Sequence, residues 1–247
     1  MRYLVLSDMH ANWPAFDLVL RSFPVDGYDR VLVLGDLVGY GARPNEVVEA
    51  VRALPSDTVV IRGNHDKVAS GIESAEFFNP AARMAAEWTQ RVLSEENLRY
   101  VRELPRGPVA IDEELLVCHG TPHDEDIYVL SADEAMDCFE SSEARVILFG
   151  HTHVTCAFSI DSREMTVQWG MGDGDSLELA AGRRYLINPG SVGQPRDGDP
   201  RAALLTLDTT ARRAVWHRLD YPIGTAQDQI RAADLPPFLA ERLAEGM

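Results

Sequence analysis

Five short stretches of this chain carry side chains that bind cations: Asp8-Met9-His10, Gly35-Asp36, Gly63-Asn64-His65-Asp66, the isolated His119, and Gly150-His151-Thr152-His153. Five of the seven histidines fall in them. Carboxylate, imidazole and amide donors together suit borderline divalent ions such as Mn²⁺, Fe²⁺, Co²⁺, Ni²⁺ or Zn²⁺, whereas Ca²⁺ prefers oxygen alone. Taken singly, each stretch is also what a cap or turn would use: Asp8 could cap a helix, and Asn64-His65-Asp66 could close a hydrogen-bonded turn. Their joint placement favours chemistry, because each one follows an apolar run.

Those runs must be the positioning elements. Residues 2–7, 31–34 and 59–61 read as buried strands. Between them lie two helices. In the first, Asn12 is the cap, Pro14 sits in the first turn, and Phe16, Val19, Leu20 and Phe23 form the apolar stripe. Pro44 opens the second, which buries Val47, Val48, Val51 and Leu54. This alternation predicts an α/β unit with parallel strands, whose ligands gather outside the carboxyl ends. Residues 79–104 read as helical, 109–111 and 115–118 as a hairpin, and Ser131 to Glu134 as a capping box leading to a strand at 146–149. Alternating stretches at 154–160, 164–169, 184–188, 202–208 and 213–219 imply a second, largely antiparallel sheet. Residues 225–245 read as helical, divided at Pro236-Pro237.

At 247 residues the chain is expected to form one domain over 1–247, with enough length to bury a large core. A net charge of −16 makes long nucleic acids poor partners, since non-specific binding needs Lys and Arg against phosphates. Three separated cysteines supply neither a disulfide framework nor a Cys-type zinc site. No secretory or membrane-spanning apolar run is present, so the expectation is a cytoplasmic protein with no membrane partner. Monomer and homo-oligomer are both left open.

In their order, D-x-H, G-D, G-N-H-D, an isolated H and G-H-x-H, these motifs resemble those of the calcineurin-like metallophosphoesterase superfamily. Asn188-Pro189-Gly190-Ser191-Val192-Gly193 resembles the late loop of the small YfcE-like phosphodiesterases. The resemblance implies a four-layer α/β/β/α sandwich of two mixed sheets flanked by helices. It also implies two divalent metal ions, Mn²⁺ first among Fe, Ni, Co and Zn. Asp8, His10 and His153 would hold one ion, Asn64, His119 and His151 the other, and Asp36 would bridge them. Two such ions, roughly 3.5–4 Å apart, hold a water at lowered pKa, and the hydroxide attacks phosphorus in line. His65 is expected to protonate or stabilise the leaving oxygen, with Asp66 fixing its tautomer and the sign of its pKa shift open.

Asn12, Tyr40, Arg196 and Arg201 are candidates for lining the substrate cleft. The acidic loop at 120–126 is expected to be a solvated lid or a negative rim that disfavours long polyanions. One departure matters: many relatives continue G-D-x-x-D-R-G, whereas this chain reads Gly35-Asp36-Leu37-Val38-Gly39-Tyr40-Gly41. The missing acid and arginine count against a protein Ser/Thr phosphatase. The expected substrate is a small phosphodiester, cyclic nucleotides included, or a phosphomonoester. The alternatives are a diadenosine-polyphosphate-type hydrolase and a non-catalytic protein-interaction scaffold of the same fold. The complete ligand set and His65 weigh against the scaffold.

Overall fold

β1 (Arg2–Leu6) is buried on both faces: Tyr3 and Val5 join a core between two sheets, and Leu4 and Leu6 join a core beneath helices. This explains its unbroken apolar run, since a strand covered on both sides has no polar face to alternate with. Each such buried Val or Leu contributes about 1.5–3 kcal/mol. The protein is described by a computed structural model covering residues 1–247, with two six-stranded mixed sheets.

In the first sheet, β3 (Val59–Val60), β2 (Arg30–Val33) and β1 run parallel, and β11 (Ala202–Asp208), β12 (Arg213–Leu219) and β9 (Ser176–Glu178) follow in antiparallel pairs. In the second, β5 (Leu115–Val117), β6 (Val146–Leu148) and β10 (Arg184–Asn188) run parallel. That trio is flanked by antiparallel β4 (Val109–Ala110) on one side and by β7 (Cys156–Ile160) and β8 (Met165–Trp169) on the other. Trp216 and Tyr185 fill the core between the sheets, and Trp216 Nε1 donates to the Asn188 carbonyl at 2.9 Å.

Outside the first sheet pack α1 (Trp13–Ser22), α2 (Pro44–Arg52), α3 (Asn64–Ala69), α4 (Pro80–Val92), α5 (Glu95–Glu103), α7 (Ile223–Ala232) and α8 (Pro237–Glu241). α6 (Ala132–Glu140) covers the second with Ala135, Cys138 and Phe139, and its capping box between Ser131 and Glu134 is formed. The four layers are those the resemblance implied. No helix is long and apolar enough to cross a membrane.

Three sequence expectations change. The five late strands do not make a sheet of their own: β11 and β12 extend the first sheet from β1, while β10, β7 and β8 extend the second from β6. Alternation reveals that a segment is a strand but carries no information on its partner. β9 has no signature in the sequence, because its Ser-Leu-Glu is short and mostly exposed, without an apolar repeat. Residues 79–104 form two helices, broken at Leu93-Ser94, where Ser94 Oγ accepts from Asn97 N and starts α5.

Candidate active site

Asp8 follows β1, Asp36 follows β2, Asn64 opens α3 after β3, His119 follows β5, and His151 and His153 follow β6. The parallel strands of both sheets thus deliver these loops to one rim. The turns are sharp: Asp8, His10, Asp36, His151 and His153 all have φ between 46° and 66°. Side chains in that left-handed region cost about 1–2 kcal/mol each, and such conformations concentrate at functional sites.

The motif glycines have a steric cause. A Cβ on Gly63 would fall 2.1 Å from Asp36 Oδ1, and one on Gly150 would fall 2.1 Å from Ser7 Oγ and 2.8 Å from Asp8 Oδ2.

The buried side chains form two groups that share Asp36: Asp8, His10, Asp36 and His153, then Asp36, His119 and His151. Asp36 Oδ2 stands 3.5 Å from His10 Nε2 and 3.4 Å from His119 Nε2. Asp8 Oδ1 stands 3.2 Å from His153 Nε2, and Asn64 Oδ1 is 3.3 Å from His119 Nε2.

Outer hydrogen bonds aim these donors. The Nδ1 atoms of His10, His119 and His153 meet the carbonyls of Val38, Leu34 and Gln194 at 3.0, 2.8 and 2.6 Å. A proton held there leaves the Nε2 lone pair facing the cluster. His151 is reversed: its Nε2 meets the Asp126 carbonyl at 3.1 Å, which leaves Nδ1 as its donor. Asp8 Oδ2 accepts from Ser7 Oγ at 2.6 Å and from His151 N at 3.2 Å.

The arrangement fits cations. Asp8 Oδ1 and Asp36 Oδ2 are buried acceptors without a hydrogen-bond donor, and His10 Nε2 faces His153 Nε2 at 3.0 Å. Unpaired buried carboxylates and opposed imidazole lone pairs are costly unless a positive charge lies among them. Electrostatics agree. Burial holds His10 well below its ordinary range and takes His151 down to about 3, so both are neutral donors at pH 7. Burial also acts to lower His119, but the carboxylates of Asp36 and Asp8 outweigh it and raise His119 to about 10.

Of the other expected residues, His65 lies at the edge of the cluster, its ring 5.0 Å from His10 and 4.3 Å from Tyr40. Burial, opposed by Asp36 and reinforced by Arg196, lowers its pKa to about 4, so the net shift is downward. Asp66 does not fix the His65 tautomer, because its two oxygens accept the backbone N–H groups of Val38 and Gly63 at 3.2 and 3.0 Å, while His65 Nδ1 has no partner. Burial and the Asp36 charge raise Asp66 to about 7. Asn12 is also committed within the protein: Oδ1 accepts from Ala15 N at 3.3 Å and Nδ2 donates to the Gly193 carbonyl at 2.7 Å. Arg201 is held in a two-pronged pair with Asp199.

Arg196 lies 5.6 Å from the Tyr40 ring, and on the same ring sits Arg242, at 6.0 Å. Arg242 comes from the C-terminal 3-10 turn, Arg242–Ala244, and no motif marks it. The acidic loop is not a solvated lid. Glu125 is buried and receives Nε and Nη2 of Arg62 at 3.1 and 2.9 Å, and Lys67 Nζ holds Asp126 at 2.6 Å and Glu73 at 2.7 Å. The loop therefore positions His151 through the Asp126 carbonyl.

Comparison with known proteins agrees with this geometry. The profile described as the calcineurin-like phosphoesterase superfamily domain matches residues 1–210. A solved metallophosphoesterase from Sphaerobacter thermophilus is 40% identical with a TM-score of 0.87, covering 100% of this chain and 99% of that one. The uncharacterized protein MJ0912 of Methanocaldococcus jannaschii is 36% identical over 98% of this chain and 97% of its own length. Phosphodiesterase YfcE of Escherichia coli K12 is 24% identical over 81% of this chain and 84% of its own.

Proposed function

This chain belongs to the calcineurin-like phosphoesterase superfamily, and on that premise we propose that it hydrolyses a small phosphodiester or phosphomonoester at a dinuclear centre. One observation carries the reading: Asp36 Oδ2, buried and without a donor, lies between His10 and His119 and so belongs to both ligand groups. Asp8, His10, Asp36 and His153 would hold one ion, and Asp36, Asn64, His119 and His151 the other. Mn²⁺ is the first choice. Bound there, two divalent ions supply Lewis acidity toward phosphoryl oxygens and a water of lowered pKa.

The chain's own groups do the rest. Arg196 and Arg242, both against the Tyr40 ring, would bring positive charge to the non-bridging oxygens of the substrate. His65 is neutral at pH 7, its Nδ1 is buried against Gly39, and Nε2, which bonds nothing in the protein, would give an N–H hydrogen bond to the leaving oxygen. A hydrogen bond of this kind becomes stronger as charge develops on that oxygen, which is the condition for accelerating the reaction. The diester preference is supported by the likeness to YfcE.

The test is metal analysis of the purified protein, followed by assays of bis-p-nitrophenyl phosphate and p-nitrophenyl phosphate after Mn²⁺ addition. We expect two ions per chain and turnover, the diester faster. Protein that binds no metal and cleaves neither ester would instead be a scaffold of this fold.

A further inference from the structure

Beside His65 a cleft of about 340 Å³ borders the Asp/His cluster, with Asn64 and His151 in its lining. Its size falls within the usual range for small-ligand sites. Two loops face each other across it: the 3-10 turn Ala75–Phe77 with Phe78, and the segment carrying Asp126 and Tyr128. Lys67, also in the lining, bonds Glu73 and Asp126 through Nζ, which ties the two segments together.

The walls are aromatic. Phe77 is 88% exposed, an unusual state for a phenylalanine, and Tyr128 is 41% exposed although one face stacks on His151 at 3.9 Å. Phe78 packs 4.6 Å from the His65 ring. Polar groups mark the edge. Ser74 makes no capping hydrogen bond, and Asn79 uses Oδ1 on Ala82 N, which leaves its amide N–H groups for a ligand. Apolar faces with donors at the rim suit a planar heteroaromatic ring better than an alkyl chain, which needs no rim donors. The carboxylates of Glu73 and Asp126 disfavour a second phosphate along this path.

We infer that this cleft is a nucleobase subsite, with Phe77 and Tyr128 as stacking residues, and that the substrate is a nucleoside ester of a single phosphate, cyclic diesters included, and not a polyphosphate. The inference rests on the phosphoester reading above, since the phosphoryl group must sit at the Asp/His cluster for the base to reach Phe77.

The test is calorimetric titration of the full-length, Mn²⁺-supplemented protein with two slowly hydrolysed probes, adenosine 5′-monophosphorothioate and methyl phosphorothioate. We expect the nucleoside to bind more tightly. Phe77→Ala should weaken it roughly 5- to 150-fold, the range for loss of one base stack, and leave methyl phosphorothioate unchanged. Phe77→Trp should retain the preference. Because Phe77 is nearly fully exposed, neither change threatens the fold. Equal affinity for the two probes, or equal weakening of both by Phe77→Ala, overturns the subsite alone. Binding of neither probe by the unaltered protein overturns the phosphoester reading and the subsite with it.

Discussion

Asp36 Oδ1 accepts the backbone N–H of His65 at 2.8 Å, while Oδ2 of the same carboxylate faces His10 and His119. One side chain therefore joins the two ligand groups and orders the first turn of α3. Asp36→Ala should reduce bound metal from two ions to below one per chain, read by elemental analysis. Retention of both ions would show that the groups are held independently.

His65→Ala should keep both ions and lose turnover of an alkyl phosphodiester by about 10²–10³-fold, the usual effect of removing one donor to developing negative charge. With a pKa near 4, His65 is neutral across the physiological range, so its loss should not remove a limb of the rate profile between pH 6 and 8. An alkyl diester cleaved at the unaltered rate removes His65 from the reaction.

Metal uptake should release protons. His119 is raised to about 10 in the metal-free fold, so its proton stabilises that fold fully below about pH 6.5 and the contribution fades as pH rises through 10. A cation must displace this proton, so affinity should increase with pH over the same window. Calorimetry near pH 7.5 in buffers of different ionisation enthalpy should report release of about one proton from this group. Uptake without proton release contradicts the assignment.

Lys67 ties Glu73, Glu125 and Asp126, and it is buried with Glu125. Lys67→Met should destabilise the protein by about 1 kcal/mol, because Glu125 keeps Arg62 and the carboxylates of Glu73 and Asp126 are open to water. Freed of this tie, the Asp126 carbonyl should also hold His151 less firmly and weaken metal affinity. A urea midpoint equal to that of the unaltered chain would argue against the tie.

Arg242→Ala should lower kcat/KM roughly 10- to 100-fold, the cost of one charge-assisted hydrogen bond, with metal content intact. Unchanged kcat/KM would place Arg242 outside the substrate's reach.

Much of this was readable in the chain. The Asp, Asn and His side chains of the candidate site stand at strand ends marked by apolar runs, and Gly63 and Gly150 are required where Asp36, Ser7 and Asp8 approach their backbone. Other parts left no local trace. Asp66 stands next to His65, but at the start of α3 its carboxylate turns back to the Gly63 N–H, as first-turn acids commonly do, and takes the Val38 N–H from the loop after β2 as well. Arg242 reaches Tyr40 only because α7 and α8 fold back over α1, a contact across most of the chain. The late strands were visible as strands, yet β11 paired with β1 because of which sheet edge lay open, and no periodicity encodes that.

The pairing of β1 with β11 also sets an order of assembly. Arg2 to Val5 lie opposite Leu205 to Asp208, and the loop after β1 is fastened by Val192 N to Ser7 O, Gly193 N to Asp8 O and Ser191 Oγ to Asp8 O. All seven proposed ligands have been synthesised by residue 153, about fifty residues before the strand that completes β1's sheet environment. During translation β1 has β2 as a partner early, but its other edge stays open until β11 is made, with a long loop still to close.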